Sequence, residues 1–301
     1  MRFVPLVVLA LVLTAVAVAG NPPDPVETRV VSTGSGPCGV AAGAGSVWVG
    51  IYGSGTLLGI DDTRGRVETR IPVGRWACRV AVGPAAVWVT RDQAGELVRV
   101  ARGTGRLRRL RVGGGAFDVL LASGSVWVTS YDTGAISKID PARLRITRVF
   151  KDGANPAGLT HCNGRIWVGH GRSATWLTEI DPGTNAIRRV DVGTTTPGWP
   201  RCVQGDLWVT APGAVLKVDA ATGKVLARLH LGGTPAEAAG GPDGLVWVTD
   251  KERSLVYRIY GAQATVTDSF SAGPGAYSLA RAGEAMWITS FAGADIRRYS
   301  P

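Results

Sequence analysis

Apolar residues flank a tryptophan seven times along the chain, at nearly constant spacing. The apolar-Trp-apolar tripeptide recurs every 39–41 residues, centred on Trp48, Trp88, Trp127, Trp167, Trp208, Trp247 and Trp287. A Gly-containing turn precedes each copy, and most copies continue as Val-Thr or Val-Gly. Self-similarity at such a period indicates a repeat architecture in which each repeat is one structural unit.

The pattern within each repeat predicts four short β-strands. After the tryptophan strand comes an apolar-charged pair that leads into a turn, as in Ile139-Asp140-Pro141, and then an alternating strand such as residues 67–74. Four short strands in about 40 residues is the size of one propeller blade. Side chains alternate along a strand, so in Val-Trp-Val the tryptophan points to one face and the valines to the other. We therefore predict an all-β, seven-bladed β-propeller of four-stranded blades over residues 26–301, with the tryptophans buried between blades.

The two chain ends carry complementary parts of one repeat. The last repeat stops after a third strand at residues 295–299, whereas residues 26–31 resemble a fourth strand that has no first three. We predict that the N-terminal strand completes the seventh blade, which would leave no open edge between the chain ends.

The first residues have the pattern of a secretory signal. Met1 and Arg2 precede an apolar run that closes with Ala17-Val18-Ala19. We predict a signal peptide over residues 1–19, a short linker over 20–25, and a secreted or periplasmic mature protein without a transmembrane span. An uncleaved membrane anchor is the alternative, although a span normally needs about 20 apolar residues.

The composition is basic, with 33 Lys and Arg against 23 Asp and Glu and a formal net charge of +10. Positive charge attracts anionic partners, so the predicted partner is an unknown protein or an anionic ligand of the cell envelope. Solubility and protection of exposed strand edges would explain the same excess. The densest basic run, residues 99–111, maps mostly to an outer strand and has no interleaved aromatic residues, so we predict no nucleic-acid binding. We expect a monomer.

The four cysteines form two pairs that are each 40 residues apart. Cys38 and Cys78 stand ten residues before their tryptophans, while Cys162 and Cys202 stand five and six before theirs. Equivalent positions on adjacent inner strands can be close enough to bridge, so we predict the disulfides Cys38–Cys78 and Cys162–Cys202. Buried free thiols are the alternative. No CxxC motif or Cys/His cluster is present, and we predict neither a metal nor another cofactor.

The three histidines do not form a metal site in this pattern. His230 falls in an outer strand, and His161 and His170 flank Trp167. If the two strands there form a hairpin, His161 and His170 lie about 13 Å apart, too far to share an ion. His170 remains a candidate ligand contact near one face of the ring.

The repeat resembles known families of propellers. The pattern from Gly39-Val40-Ala41 to Val47-Trp48-Val49, with its Ile-Asp-Pro turns and Gly-Lys-Val strands, resembles the YVTN-repeat propellers. It is also similar to the virginiamycin B lyase (streptogramin lyase) group, and the likeness covers residues 26–301. That second resemblance implies an enzyme that opens a cyclic depsipeptide by elimination, with a His base and acidic residues that hold a magnesium ion above the central channel.

The sequence departs from the lyase pattern where the chemistry would lie. Lyase repeats usually carry Phe-Thr-Glu after the tryptophan, while Val-Thr or Val-Gly stands here, and no Glu-x-His occurs in the chain. No catalytic residue is therefore carried over.

Propellers usually bind partners on the face formed by the loops that enter the innermost strands and the loops that follow the second strands. Aromatic residues beside arginines in those loops suit an anionic or sugar-like ligand, and plugging of the channel is an equal possibility. We predict a non-catalytic binding protein, with a lyase-type enzyme as the alternative. The loops present Tyr52, Asp92, Phe117, Asp132, Asp250 and Phe291, and the predicted ligand contacts are Arg75, Trp76, Arg79, Arg91, Asp118, Tyr131, His170, Trp199, Arg201 and Tyr277.

Overall fold

The computed structural model describes residues 23–172 and 174–301, and all its regular elements are β-strands. The predicted signal peptide, residues 1–19, lies outside the described residues. The strands are β1 Val26–Ser32, β2 Pro37–Gly43, β3 Ser46–Ile51, β4 Thr56–Asp61, β5 Val67–Pro72, β6 Ala77–Val82, β7 Ala86–Arg91, β8 Glu96–Ala101, β9 Leu107–Arg111, β10 Ala116–Ala122, β11 Ser125–Ser130, β12 Ala135–Asp140, β13 Arg145–Lys151, β14 Asn155–Cys162, β15 Arg165–Gly171, β16 Trp176–Ile180, β17 Ile187–Asp191, β18 Trp199–Val203, β19 Asp206–Ala211, β20 Ala214–Asp219, β21 Val225–His230, β22 Pro235–Gly240, β23 Val246–Asp250, β24 Leu255–Tyr260, β25 Thr265–Ser271, β26 Ala276–Ala282, β27 Ala285–Ser290 and β28 Asp295–Ser300.

The strands form seven antiparallel sheets of four strands each. Blades 1 to 6 are β2–β5, β6–β9, β10–β13, β14–β17, β18–β21 and β22–β25, and blade 7 has the order β1-β28-β27-β26. The innermost strand is the first strand of each of blades 1 to 6, and it is β26 in blade 7. Each inner strand contacts the inner strands of the two neighbouring blades, and β2 contacts both β6 and β26, so the blades close into a ring. The predicted seven-bladed β-propeller is confirmed.

The repeated tryptophans are buried between blades. All seven are 9% exposed or less, and each packs against the apolar pair that flanks the tryptophan of the next blade. Trp48 of blade 1 packs with Val87 and Val89 of blade 2, and the series ends where Trp287 of blade 7 packs with the apolar pair of blade 1. One Val-Trp-Val strand therefore supplies both faces of its blade, as alternation along a strand requires.

The residue two positions after the tryptophan links neighbouring inner strands. In five blades it is a threonine whose hydroxyl donates to a backbone carbonyl of the next blade, at 2.6–3.3 Å. These donors are Thr90, Thr129, Thr210, Thr249 and Thr289. They join blades 2 to 3, 3 to 4, 5 to 6, 6 to 7 and 7 to 1.

Glycine replaces this threonine in blades 1 and 4. A Cβ at Gly50 would lie 2.2 Å from the carbonyl oxygen of Cys78, and one at Gly169 would lie 2.2 Å from that of Gly198. At these two junctions the chain instead carries the disulfides Cys38–Cys78 and Cys162–Cys202, the pairs predicted from the sequence. Every junction in the ring is thus held by a threonine hydrogen bond or by a disulfide.

The N-terminal strand β1 lies at the outer edge of blade 7. It pairs antiparallel with β28 and places Val31 opposite Ile296. Glu27 accepts hydrogen bonds from Arg297 and from the Tyr299 hydroxyl, both at 3.0 Å. Within the described part of the chain there is no helix of the length and hydrophobicity that a membrane crossing requires.

Candidate ligand-binding site

The inner strands place equivalent residues at the same depth in the central channel. Residues early in these strands, such as Cys38, Cys78 and Phe117, line a cavity at one end, which we call the upper cavity. Residues late in the same strands, such as Val82, Leu121 and Arg281, line a cavity at the other end, which we call the lower cavity. The inner strands therefore run from the upper end to the lower end.

The upper cavity has a volume of about 550 Å³ and mostly apolar walls. Its aromatic lining comes from three separate parts of the ring, through Tyr52 after β3, Phe117 on β10, and Tyr277 and Phe291 of blade 7. The Tyr277 and Phe291 rings meet edge to face with centroids 5.9 Å apart. Three ionisable residues complete the wall: Asp92, Lys251 and Glu252.

Four charged side chains cross the channel below this cavity. The Glu237 carboxylate accepts a hydrogen bond from Arg79 at 2.7 Å on one oxygen and one from Arg201 at 2.5 Å on the other. Arg201 also lies 3.5 Å from Asp118, whose carboxylate accepts the backbone N–H of Leu159 at 2.8 Å. We call Arg79, Asp118, Arg201 and Glu237 the plug.

Aromatic rings cover the plug on its upper side. The Arg79 guanidinium lies 3.9 Å from the Trp199 ring centroid and 4.9 Å from that of Tyr277. Phe117 stacks on Trp199 at 5.2 Å and contacts Tyr131 at the same distance. The plug residues also line the lower cavity, which has a volume of about 420 Å³. The plug therefore separates the two cavities and forms the floor of the upper one.

Charge neutralisation keeps the plug ionised in spite of its burial. Burial alone would raise the pKa of Glu237, but the positive charges of Arg201 and Arg79 and the Ser278 hydroxyl lower it from 4.5 to about 2. Burial alone would lower the pKa of Arg79, but the negative charge of the Glu237 carboxylate outweighs this effect and raises the pKa of Arg79. Two arginines face two carboxylates, so the plug carries no net charge.

Asp92 and Tyr52 form a separate polar pair in the wall of the upper cavity. The Tyr52 hydroxyl donates to Asp92 Oδ2 at 3.1 Å and accepts from the Gln93 amide at 3.0 Å. Burial raises the pKa of Asp92, the nearby Asp132 charge adds to this, and the Tyr52 hydrogen bond opposes it. The pKa of Tyr52 is raised by burial and by the Asp92 charge.

Most of the predicted ligand contacts converge on this region. Arg79, Asp118, Trp199, Arg201 and Tyr277 meet in or above the plug, and Tyr131 joins them through Phe117. Arg79, Asp118 and Arg201 belong to the plug, while a ligand contact of the predicted residues stays a prediction.

Three other predicted contacts lie around blade 2, two in the loop before β6 and one at the end of β7. Arg75 is exposed, and its guanidinium lies 5.5 Å from the ring centroid of the half-buried Trp76. The backbone N–H of Trp76 donates to the carbonyl of Tyr52 at 3.0 Å, which ties this loop to the cavity wall. Arg91 forms an ion pair with Glu96 and donates to the Arg75 carbonyl at 3.2 Å.

His170 lies away from the channel, which corrects its prediction as a ligand contact. Its side chain is fully buried, with Nε2 2.9 Å from Thr178 Oγ1 and 3.1 Å from Asp152 Oδ2. Thr178 lies on β16 of blade 4 and Asp152 directly follows β13 of blade 3, so His170 is buried where these two blades meet. His161 is exposed and pairs with Ile166, while His170 pairs with Pro156.

Sequence reasoning missed Glu237, the acid that both plug arginines share. Its signal is positional, because Arg79 and Asp118 stand nine residues before their blade tryptophans and Glu237 stands ten before Trp247. The extra residue lies in the turn between β22 and β23, which hid the equivalence. Lys251 and Glu252 of the upper cavity were also missed.

The magnesium site that the lyase resemblance implies does not fit this chain. No group of three or more His, Cys, Asp or Glu side chains in the described ranges is placed to hold a metal ion. The acids nearest the channel, Asp118 and Glu237, already accept hydrogen bonds from Arg201 and Arg79. Both carboxylates are therefore committed to the plug.

Comparisons with known proteins show the fold. No family model matches the sequence, and no curated protein matches it. Virginiamycin B lyase from Staphylococcus aureus is similar in structure, with a TM-score of 0.79 and 14% sequence identity over 91% of this chain and 98% of that chain. Hydrazine synthase from Kuenenia stuttgartiensis has a TM-score of 0.77 and 14% identity over 92% of this chain and 99% of that chain. The chain therefore shares the propeller fold of virginiamycin B lyase along nearly its whole described length.

Proposed function

We propose that this protein is a non-catalytic, extracytoplasmic binding protein that holds a small ligand in the upper cavity. The observation that supports this most is a cavity of about 550 Å³ with aromatic walls and a plugged floor. Pockets for small ligands typically have volumes of about 300–1,000 Å³, mostly apolar linings and a few polar groups. A ligand with a flat or ring-shaped apolar part fits the Tyr277 and Phe291 walls best.

The disulfides support the proposed location. Two disulfide bonds indicate an oxidising environment, because cytosolic thiols are normally kept reduced. Secretion through residues 1–19 remains a prediction, as does cleavage of that segment.

The lining of the upper cavity gives little support to an anionic ligand, although the net charge of +10 led to that prediction. The cavity wall holds one lysine, Lys251, and two carboxylates, those of Asp92 and Glu252. The arginines below the cavity, Arg79 and Arg201, are neutralised by Glu237 and Asp118. We therefore attribute general attraction to anionic surfaces to the whole molecule rather than to the cavity.

The positions of the histidines favour binding over a lyase-type elimination with a His base. A general base must reach the proton that it removes within hydrogen-bonding distance. His161 and His230 are exposed, on the last part of β14 and on the outer strand β21, and His170 is buried between blades 3 and 4. None of the three lines the upper cavity.

Binding in the upper cavity can be tested with three small ring compounds, benzylamine, benzyl alcohol and benzoate. We expect at least one to bind in NMR titrations at millimolar concentrations and to lose most of its affinity in Phe291→Ala, which removes one aromatic wall. Val149→Ala, an exposed apolar side chain on the outer strand β13, is the control and should bind like the wild type. If none of the three binds, or if Phe291→Ala binds equally well, the upper cavity is not the site.

A further inference from the structure

Asp92 is a half-buried carboxylate without a cationic partner. No arginine, lysine or histidine in residues 23–172 and 174–301 forms an ion pair with it, and the nearest arginine in sequence, Arg91, pairs with Glu96. The neighbouring charge is that of Asp132, which is also negative. A charge removed from water is normally paired, so this site lacks a positive group.

Aromatic rings stand beside this carboxylate. The Tyr52 hydroxyl bonds to Asp92 Oδ2, while a Cβ placed on Gly36 would lie 3.3 Å from both Tyr52 and Phe291. Phe291 in turn contacts Tyr277 edge to face. Tyr52 and Phe291 therefore lie on either side of Gly36, and Tyr277 lies beside Phe291. Ring faces attract cations through their quadrupole, and the attraction is strongest where water is excluded.

The other charges near the cavity do not supply the missing partner. Lys251 and Glu252 are exposed, and Glu252 accepts a hydrogen bond from Thr234 at 2.8 Å. Arg79, below Tyr277, is held by Glu237 and Ser278. The wall at Asp92 therefore keeps its negative charge and its aromatic neighbours available to a ligand.

We propose that the ligand of the upper cavity is an organic cation, whose protonated amine pairs with Asp92 and lies among the rings of Tyr52, Tyr277 and Phe291. This inference rests on the proposed binding function and specifies the chemistry of its ligand. The basic composition had suggested an anionic ligand, whereas this inference gives a cationic one. The charged groups that line a pocket, and not the net charge of the protein, determine which ligands the pocket selects.

Benzylamine, benzyl alcohol and benzoate test the charge directly, since they share a phenyl ring and carry positive, no and negative charge at pH 7. We expect benzylamine to bind about tenfold more tightly than benzyl alcohol, and benzoate to bind most weakly. In Asp92→Asn, benzylamine should weaken about tenfold to the level of benzyl alcohol, whose own affinity should stay unchanged.

Two controls separate this effect from general damage. Glu284→Gln removes an exposed carboxylate from the turn between β26 and β27, at the opposite end of the ring, and should leave all three affinities unchanged. Thermal unfolding of Asp92→Asn checks that the fold persists.

The outcomes distinguish the two proposals. Equal binding of the three compounds to the wild type, or an unchanged preference for benzylamine in Asp92→Asn, would overturn the organic-cation inference and leave the binding function standing. Failure of all three to bind would overturn the binding function itself.

Discussion

Glu237 joins three residues from three other blades at the centre of the molecule. It comes from blade 6, and its two oxygens bond Arg79 of blade 2 and Arg201 of blade 5, while Ser278 of blade 7 donates to it at 2.7 Å. Ion pairs of this kind are costly to desolvate, and removal of one member leaves the others buried without compensation. This network therefore couples the positions of blades 2, 5, 6 and 7 at one point in the channel.

Glu237→Gln should destabilise the protein by about 3–5 kcal/mol at pH 7, because two buried arginines lose their shared counter-charge. The measurement is the free energy of unfolding from urea titrations. Glu68→Gln, an exposed carboxyl on the outer strand β5, is the matched control and should change it little. An equal, small effect of both substitutions would show that the plug contributes nothing to stability.

The same residue predicts a pH dependence. The pKa of Glu237 is about 2 in the folded protein against 4.5 ordinarily, so its ionised form stabilises the fold above pH 4.5. That stabilisation is lost as the pH falls towards 2, since the unfolded chain takes up the proton first. The wild type should therefore lose more stability than Glu237→Gln over this range.

At the scale of the element, the blades use two ways of joining neighbouring inner strands. Threonine hydroxyls bridge five junctions, whereas glycine and a disulfide occupy the junctions of blades 1 to 2 and 4 to 5. The glycines permit a closer approach of neighbouring strands than threonine would, because a Cβ placed on Gly50 would lie only 2.2 Å from the carbonyl oxygen of Cys78. A disulfide therefore joins the blades at the two junctions where no threonine hydroxyl is present to donate a hydrogen bond.

The double substitution Cys38→Ser with Cys78→Ser should cost about 4 kcal/mol, the loop-closure value for a crosslink across 40 residues. Thr129→Val at a hydrogen-bonded junction should cost about 1 kcal/mol. Urea unfolding with and without reductant measures both. If the double serine variant is as stable as the oxidised wild type, the disulfide does not hold the junction.

The sequence repeat predicts the blades well, but it predicts the residues that face the central channel less well. Periodicity identified every blade tryptophan, because burial between sheets imposes the same residue at the same place. The plug breaks the repeat, since each channel-facing position carries a different residue, such as Arg79, Asp118 and Glu237, whose partner lies across the ring. The repeat marks these positions, but a single sequence does not show which of the residues at them pair across the channel. The cavity wall at Asp92 depends likewise on loop geometry that the repeat does not determine.

At the scale of the whole molecule, the first and last strands lie together in blade 7. Blade 7 is built from β26–β28 and the N-terminal strand β1, so the fourth strand of the last blade comes from the start of the chain. Val31 packs into the cluster that also holds Trp287 and Ile296, at the interface of blades 7 and 1. The adjacent Val30 points outward and is 48% exposed, while Val31 is 9% exposed.

Substitutions of Val30 and Val31 provide a matched test of whether the pairing of β1 with β28 holds the ring closed. Val31→Asp would bury an unpaired charge and should release β1, because an unpaired buried carboxylate costs more than the strand pairing returns. Val30→Asp places the same charge in water and should be neutral. A released β1 should be cut rapidly by trypsin after Arg29, and the exposed edge of β28 should promote association that size-exclusion chromatography detects. If Val31→Asp resists trypsin as well as Val30→Asp does and stays monodisperse, the pairing of β1 with β28 is not what holds the ring closed.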